Sequence, residues 1–191
     1  TWAMESLRGE LTTPAAREIV DKAVGAINQL LKIVNDLLDV AKIEGGRFGY
    51  QFQELDLIPF VEETLAQAQP VAKAYDVAVY LEKPAESSLR ITGDPQKLGV
   101  ALANLLDNAI KYNVKNGEVV VKIERVPGKP FVAVSVRDTG IGVPEEAMQK
   151  LFTKFFRSEN ASKAIVEGTG LGLYIVKNII RRHGGQIFAQ S

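Results

Sequence analysis

Asn104, Asn108 and Lys111 stand at i, i+4 and i+7 of a segment that also holds Leu98, Leu102, Leu105, Leu106 and Ala109. On a helix this spacing puts the three polar side chains on one face and the apolar ones on the other. An asparagine amide offers a neutral oxygen to a hard cation such as Mg2+. Lysine offers a point charge to a phosphate oxygen. The solvated face of an ordinary amphipathic helix has the same composition. Asparagine is a poor mid-helix residue, however, which favours a reason beyond solvation.

Two glycine-rich stretches follow. Asp138 ends an apolar run and enters Thr139, Gly140, Ile141 and Gly142. A buried carboxylate there would accept a hydrogen bond from the exocyclic amine of adenine and repel the carbonyl of guanine. A bond to a charged group is worth about 1.5–3 kcal/mol. The alternative is an Asx turn after a strand. Gly168, Thr169, Gly170, Leu171, Gly172 and Leu173 open a helix. Backbone N–H groups at a helix N-terminus suit phosphate, although a plain glycine-rich turn has the same look. Residues 161–167 do not form the strand that must precede a dinucleotide-binding glycine loop.

The elements that must position these groups are legible. Val20, Ala23, Ile27, Leu30, Val34, Leu37 and Ala41 repeat at 3,4,3,4 spacing, with Val24, Leu31 and Leu38 beside them. That pattern predicts a helix over 14–44 with a bundle-type seam, roughly 45 Å long. Thr13-Pro14 starts it and Gly45-Gly46 ends it. Residues 1–7 look like the end of a preceding helix, with a turn at 8–12. Residues 47–191 read as a separate α/β domain. Expected strands are Phe48–Phe52, Val77–Glu82, Leu89–Thr92, Glu118–Val126, Phe131–Asp138 and the final residues 186–191. Expected helices are 57–74 with a kink or break at Pro70, Asp94 to about Asn113, 144–152, and Leu171–His183. The stretch from Arg157 to Thr169 lacks a period and is expected to be a mobile lid.

Composition excludes several classes. The 191 residues carry 23 basic and 23 acidic side chains and no cysteine. That balance gives no reason to expect nucleic acid as a partner, and disulfides or thiolate metal sites are excluded. No apolar run reaches the ~20 residues of a membrane span, so no membrane contact is expected. The start at Thr1 and the stop inside an expected strand suggest a piece of something longer.

Taken in order, the three motifs resemble the N, G1 and G2 boxes of the ATP-binding domain of sensor histidine kinases, in the superfamily shared with gyrase-type ATPases. Asp94-Pro95 resembles the lead-in to the N box, and Leu151–Arg157 the F box. Val34–Arg47 resembles the end of the second dimerisation helix. The resemblance implies an α+β fold: a remnant of the dimerisation and phosphotransfer hairpin at 1–46, then a two-layer α/β sandwich with a mixed sheet of Bergerat type at 47–191. It implies ATP and Mg2+ as cofactors. Asn108 would hold the metal with help from Asn104, and Lys111 and Tyr112 would contact nucleotide. Asp138 would select adenine, with Gly140 and Gly142 shaping the pocket. Gly168, Thr169, Gly170, Leu171, Gly172 and Leu173 would bind phosphates, and Phe155, Phe156 and Arg157 would anchor the lid. Asn104 stands where hydrolysing relatives have a glutamate base. An amide cannot take a proton, which argues for phosphoryl transfer to a protein.

The same resemblance implies a homodimer through the helical bundle, a response-regulator receiver domain as partner, and a cytoplasmic location whether or not the parent is membrane-anchored. The family's acceptor histidine and its Arg-Thr-Pro-like turn have no counterpart here. His183, the single histidine, ends a helix, where a cation suits the dipole. A kinase-like adapter without phosphotransfer and an ATPase of the same superfamily are the alternatives.

Overall fold

The computed structural model describes residues 14–164 and 168–191. The expected helix end at 1–7, the turn at 8–12 and the cap at Thr13 lie outside the described residues, as do residues 165–167 of the expected lid. The chain divides into two compact units after Arg47.

The first unit is α1, Pro14–Glu44. It ends as glycine chemistry dictates. Gly46 takes φ +65°, its N–H donates to Ile43 O, and the Arg47 N–H donates to Lys42 O, a Schellman close. The seam residues Leu30, Val34 and Leu37 stand 61, 50 and 45% exposed, and Leu31 and Leu38 are exposed beside them.

The second unit holds β1 (Gln53–Asp56), α2 (Leu57–Ala74), β2 (Ala78–Glu82), β3 (Arg90–Gly93), α3 (Pro95–Lys111), β4 (Glu118–Arg125), β5 (Val132–Asp138), α4 (Glu145–Met148), α5 (Glu159–Ala164) and α6 (Gly172–Arg182). Strand order is β2-β4-β5, with β1 and β3 forming a separate antiparallel pair. β2 runs parallel to β4 and β5 antiparallel to it, so the sheet is mixed. Alternation buries Val119, Val121 and Ile123 of β4 with Val61 and Leu65 of α2 and Leu102, Leu106 and Ile110 of α3. This is one layer of sheet and one of helices. α6 packs on α3 through a face holding Ile175, Val176 and Ile179.

Several expectations are corrected. Phe48, Tyr50 and Phe52 do not form a strand. Gly49 adopts φ +58°, and the Gln51 N–H donates to Asp94 Oδ2 instead of to a ladder. Phe48 meets Tyr50 edge to face at 5.5 Å, and Tyr50 stacks on Phe52 at 5.9 Å. Pro70 neither ends nor breaks α2; buried Ala72 and the Tyr75 N–H bonds to Val71 O and Ala72 O hold the last turn. The expected helix over 144–152 shrinks to the four residues of α4, and tight i→i−3 bonds continue to Thr153. The expected lid contains a short helix, α5. Residues 186–191 pair with no strand among the described residues; Ser191 Oγ instead accepts from the Val143 N–H. Among those residues, no helix is long and apolar enough to cross a membrane.

Asp94 is the joint of this unit. Its buried carboxylate accepts from the N–H groups of Gln51 and Lys97 and caps α3. Burial alone would raise its pKa. The N–H groups of Gln51, Lys97 and Gln96 and the Lys97 charge outweigh burial and hold it below the usual carboxylate range. Asp56, which caps α2, is also lowered, chiefly by the Ser88 hydroxyl. A depressed pKa contributes stability above the unfolded value, near 4, and loses it as pH falls through the folded value. The unit is therefore expected to destabilise on acidification below about pH 4. Asp94→Ala is expected to cost about 1–3 kcal/mol at pH 7 and to flatten that acid dependence, both read from urea melts across pH.

Candidate functional site

α3 carries the first motif on the expected face. Asn104 donates from Nδ2 to Val100 O at 2.9 Å. Its Oδ1 lies 2.8 Å from where a Cβ on Gly172 would sit, so only glycine lets α6 begin this close to α3. Asn108 is half-buried, and its side chain makes no hydrogen bond among the described residues. Lys111 differs from expectation. Its Nζ pairs with both oxygens of Asp107, at 2.9 and 3.1 Å, one turn earlier on the helix. An acidic residue four positions before a lysine favours this pair, so the charge expected for phosphate is already shared.

The second motif folds onto the end of the same helix. The Ile141 N–H donates to Tyr112 O at 3.0 Å. A Cβ on Gly140 would come within 2.3 Å of that carbonyl, so Gly140 is required by the loop's contact with α3. Tyr112 enters through its backbone; its N–H caps α3 on Asn108 O. Asp138 is exposed, not buried as expected. Its Oδ1 accepts from the Gly140 N–H at 2.9 Å, which is the Asx turn that the sequence left as the alternative. The second oxygen has no partner among the described residues. Gly142 takes φ +66°, and its carbonyl accepts from Asn160 Nδ2 of α5. The start of the expected lid is thus tied to the Asp138–Gly142 loop.

The third motif meets the F box. Gly170 takes φ +66°, and a Cβ there would lie 2.7 Å from Phe155 C and 2.8 Å from Phe156 O. Phe155 itself takes φ +61°, an uncommon conformation for a bulky residue. The Arg157 guanidinium lies 3.4 Å from a Cβ placed on Gly168. The Leu171 N–H donates to Thr169 Oγ1. Among the described residues, no side chain caps the N-terminus of α6, which opens at Gly172-Leu173, and N–H groups at such a helix start suit an anion.

His183 sits at the far end of α6. The Asp94 N–H donates to its Nε2 at 2.9 Å, and its Nδ1 lies 2.8 Å from Ile179 O. A backbone N–H can only donate, so Nε2 accepts and Nδ1 carries the proton. The ring is the neutral tautomer, not the cation the helix end suggested, and neither nitrogen is free. Asn113, Thr139, Gly117 and Asp107 also shape the site and were not singled out by sequence. The Asn116-Gly117 turn left a signal, with Asn116 at φ +58°, and so did the spacing of Asp107 four residues before Lys111.

These residues suit Mg-nucleotide. Mg2+ takes one or two protein ligands and fills its sphere with phosphate oxygens and water, and Asn108 offers an unengaged amide one turn along α3 from Asn104, the residue that meets the N-terminus of α6. Residues 93–191 match the family described as histidine kinase-, DNA gyrase B-, and HSP90-like ATPase. The chain is 32% identical over 180 residues to the circadian input-output histidine kinase CikA of Synechococcus elongatus, covering 94% of this chain and 24% of that protein. It spans about a quarter of the length of the curated relatives it matches. Among solved structures, the nucleotide-free catalytic domain of histidine kinase ThkA superposes with a TM-score of 0.64 at 30% identity, over 74% of this chain and 88% of that one. ThkA in complex with the response regulator TrrA shares the fold, with a TM-score of 0.71 at 24% identity, over 98% of this chain and 51% of that one. The chain therefore belongs to the histidine kinase-, DNA gyrase B- and HSP90-like ATPase family, as an ATP-binding catalytic core of the sensor histidine kinase kind.

Proposed function

We propose that this chain binds Mg-ATP and presents its γ-phosphoryl group to a histidine on a helical hairpin to which α1 belongs, for onward transfer to a response-regulator aspartate. The observation that carries this is the meeting of three motifs on one helix. α3 holds Asn104 against Gly172 of the phosphate loop, and its last carbonyl, on Tyr112, holds Gly140 and Ile141 of the adenine loop. Asn108, with Asn104 assisting, holds the metal. Bound Mg2+ would neutralise charge on the phosphate oxygens. The α6 N-terminus and the loop Gly168–Leu173 bind phosphates, and Asp138 accepts from the adenine amine. Phe156 and Arg157 anchor the lid. Lys111 reaches nucleotide by sharing or leaving Asp107. With no carboxylate at position 104, the site positions and transfers and does not activate water.

The hairpin reaches to residue 46 and the ATP-binding domain begins at 47. The exposed seam of α1 supports a homodimer through a bundle, because one apolar stripe is not stable in water by itself. A response regulator as partner is supported by the ThkA–TrrA complex.

Calorimetry with Mg-ATP and Mg-GTP is the test. ATP is expected to bind about 10–100-fold more tightly, and Asp138→Ala is expected to erase most of that ratio. Equal affinities in the unaltered protein would sink the adenine assignment.

A further inference from the structure

Asn113 lies just past the C-cap of α3, and all four of its hydrogen-bonding positions are used. Nδ2 donates to Ala109 O at 3.1 Å and to Glu118 O at 3.0 Å. Oδ1 accepts from the Val114 N–H at 2.9 Å and from Thr139 Oγ1 at 3.0 Å. Thr139 Oγ1 in turn accepts from the Glu118 N–H at 2.9 Å. One amide and one hydroxyl thus join the end of α3, the start of β4 and the end of β5. The fit is close: a Cβ on Gly117 would lie 2.1 Å from Asn113 Oδ1 and 2.7 Å from Thr139 Oγ1.

The chain neighbours of this network are the site itself. Ala109 follows Asn108, and Thr139 follows Asp138. Asp138 is exposed and has one internal bond, from the Gly140 N–H, so little beyond the backbone on either side sets its aim. A carboxylate discriminates between bases only if its oxygen sits within hydrogen-bond reach in the right direction. A fully satisfied amide is rigid, because every alternative rotamer forfeits bonds.

We infer that Asn113 and Thr139 are positioning residues that set adenine selectivity by fixing Asp138 relative to Asn108. This assignment rests on the adenine role given to Asp138 above. It specifies what a packing role would not: loss of the network lowers the ratio of ATP to GTP affinity, not merely both affinities together.

The test measures Mg-ATP and Mg-GTP binding for Thr139→Val, which removes the hydroxyl at nearly constant size, and for Thr139→Ser, which keeps it. Thr139→Val is expected to weaken ATP about tenfold and to lower the ATP-to-GTP ratio by a similar factor, while Thr139→Ser stays near the parent ratio. In an Asp138→Ala background, Thr139→Val is expected to leave the ratio unchanged, since it acts through that carboxylate. A folded Thr139→Val protein that keeps the parent ratio, or that weakens both nucleotides equally, overturns the inference. Should Thr139→Val fail to fold in a thermal melt, Asn113→Ser carries the same measurement with the same two outcomes. The Asp138→Ala arm separates the two levels. If it leaves the ratio unaltered, the adenine reading falls and the inference with it. If it erases the ratio while Thr139→Val does not, only the positioning role falls.

Discussion

Asn108→Ala is expected to reduce Mg2+-dependent ATP binding by about 100-fold while leaving the fold intact. The asymmetry follows from what the side chain touches. Asn108 is half-buried and its amide bonds to nothing among the described residues, so its removal breaks no hydrogen bond within them. The core of α3 depends on Leu102, Leu106 and Ile110, which are untouched, and alanine is the better helix former. The unfolding midpoint should therefore hold or rise slightly. The decisive measurement is ATP affinity with Mg2+ and with a chelator. Equal losses in both would show that Asn108 serves nucleotide without metal. The same substitution should abolish labelling of an added histidine-bearing helix pair, and persistence of that labelling would remove Asn108 from the site.

Gly170→Val is expected to cost about 100-fold or more in nucleotide affinity, for a different reason. Position 170 requires φ +66°, and a Cβ there meets Phe155 C and Phe156 O at 2.7 and 2.8 Å. A β-branched residue fails on both counts. The Gly168–Leu173 loop must then leave Phe155 and Phe156, and the α6 N-terminus moves with it. Neither Gly170 nor Phe155 belongs to the buried cluster under the sheet, so unfolding should remain cooperative with a loss of about 1–3 kcal/mol. Gly128→Ala is the control. It also replaces a positive-φ glycine, at +69° in the β4–β5 turn, but meets open space and should leave binding unchanged. Retained ATP affinity in folded Gly170→Val would show that the phosphates bind elsewhere.

Much of this protein could be read along the chain because the physics involved is local. The heptad spacing from Val20 to Ala41 and the Gly45-Gly46 stop specify α1. Asp94-Pro95 specifies the start of α3 through one carboxylate and one fixed φ. Alternation specifies the strands Glu118–Val126 and Phe131–Asp138, which the structure pairs as β4 and β5. The 104, 108 and 111 spacing places three side chains on one face whatever surrounds the helix. Failures came where a local pattern had two outcomes. Phe48, Tyr50 and Phe52 alternate as a strand does, but strands exist only with partners, and the Gln51 N–H is taken by a carboxylate 43 residues away. Pro70 breaks helices whose last turn has nothing to pack on; here Ala72 is fully buried.

What tertiary structure alone decided is which groups are spent and which are free. Charge and type say that Asp138 suits a buried adenine contact; only the fold shows it exposed and held in an Asx turn with the Gly140 N–H. A helix end says that a histidine cation is welcome; only the Asp94 N–H, 89 residues distant, makes His183 the neutral tautomer. Gly140, Gly170 and Gly172 read as room for a ligand, yet each is required first by another part of the chain, at Tyr112, Phe155 and Asn104. Periodicity and turn chemistry depend on neighbours in sequence and so survive without a fold. Hydrogen-bond saturation and steric clearance depend on neighbours in space, which are assigned only when the chain closes on itself.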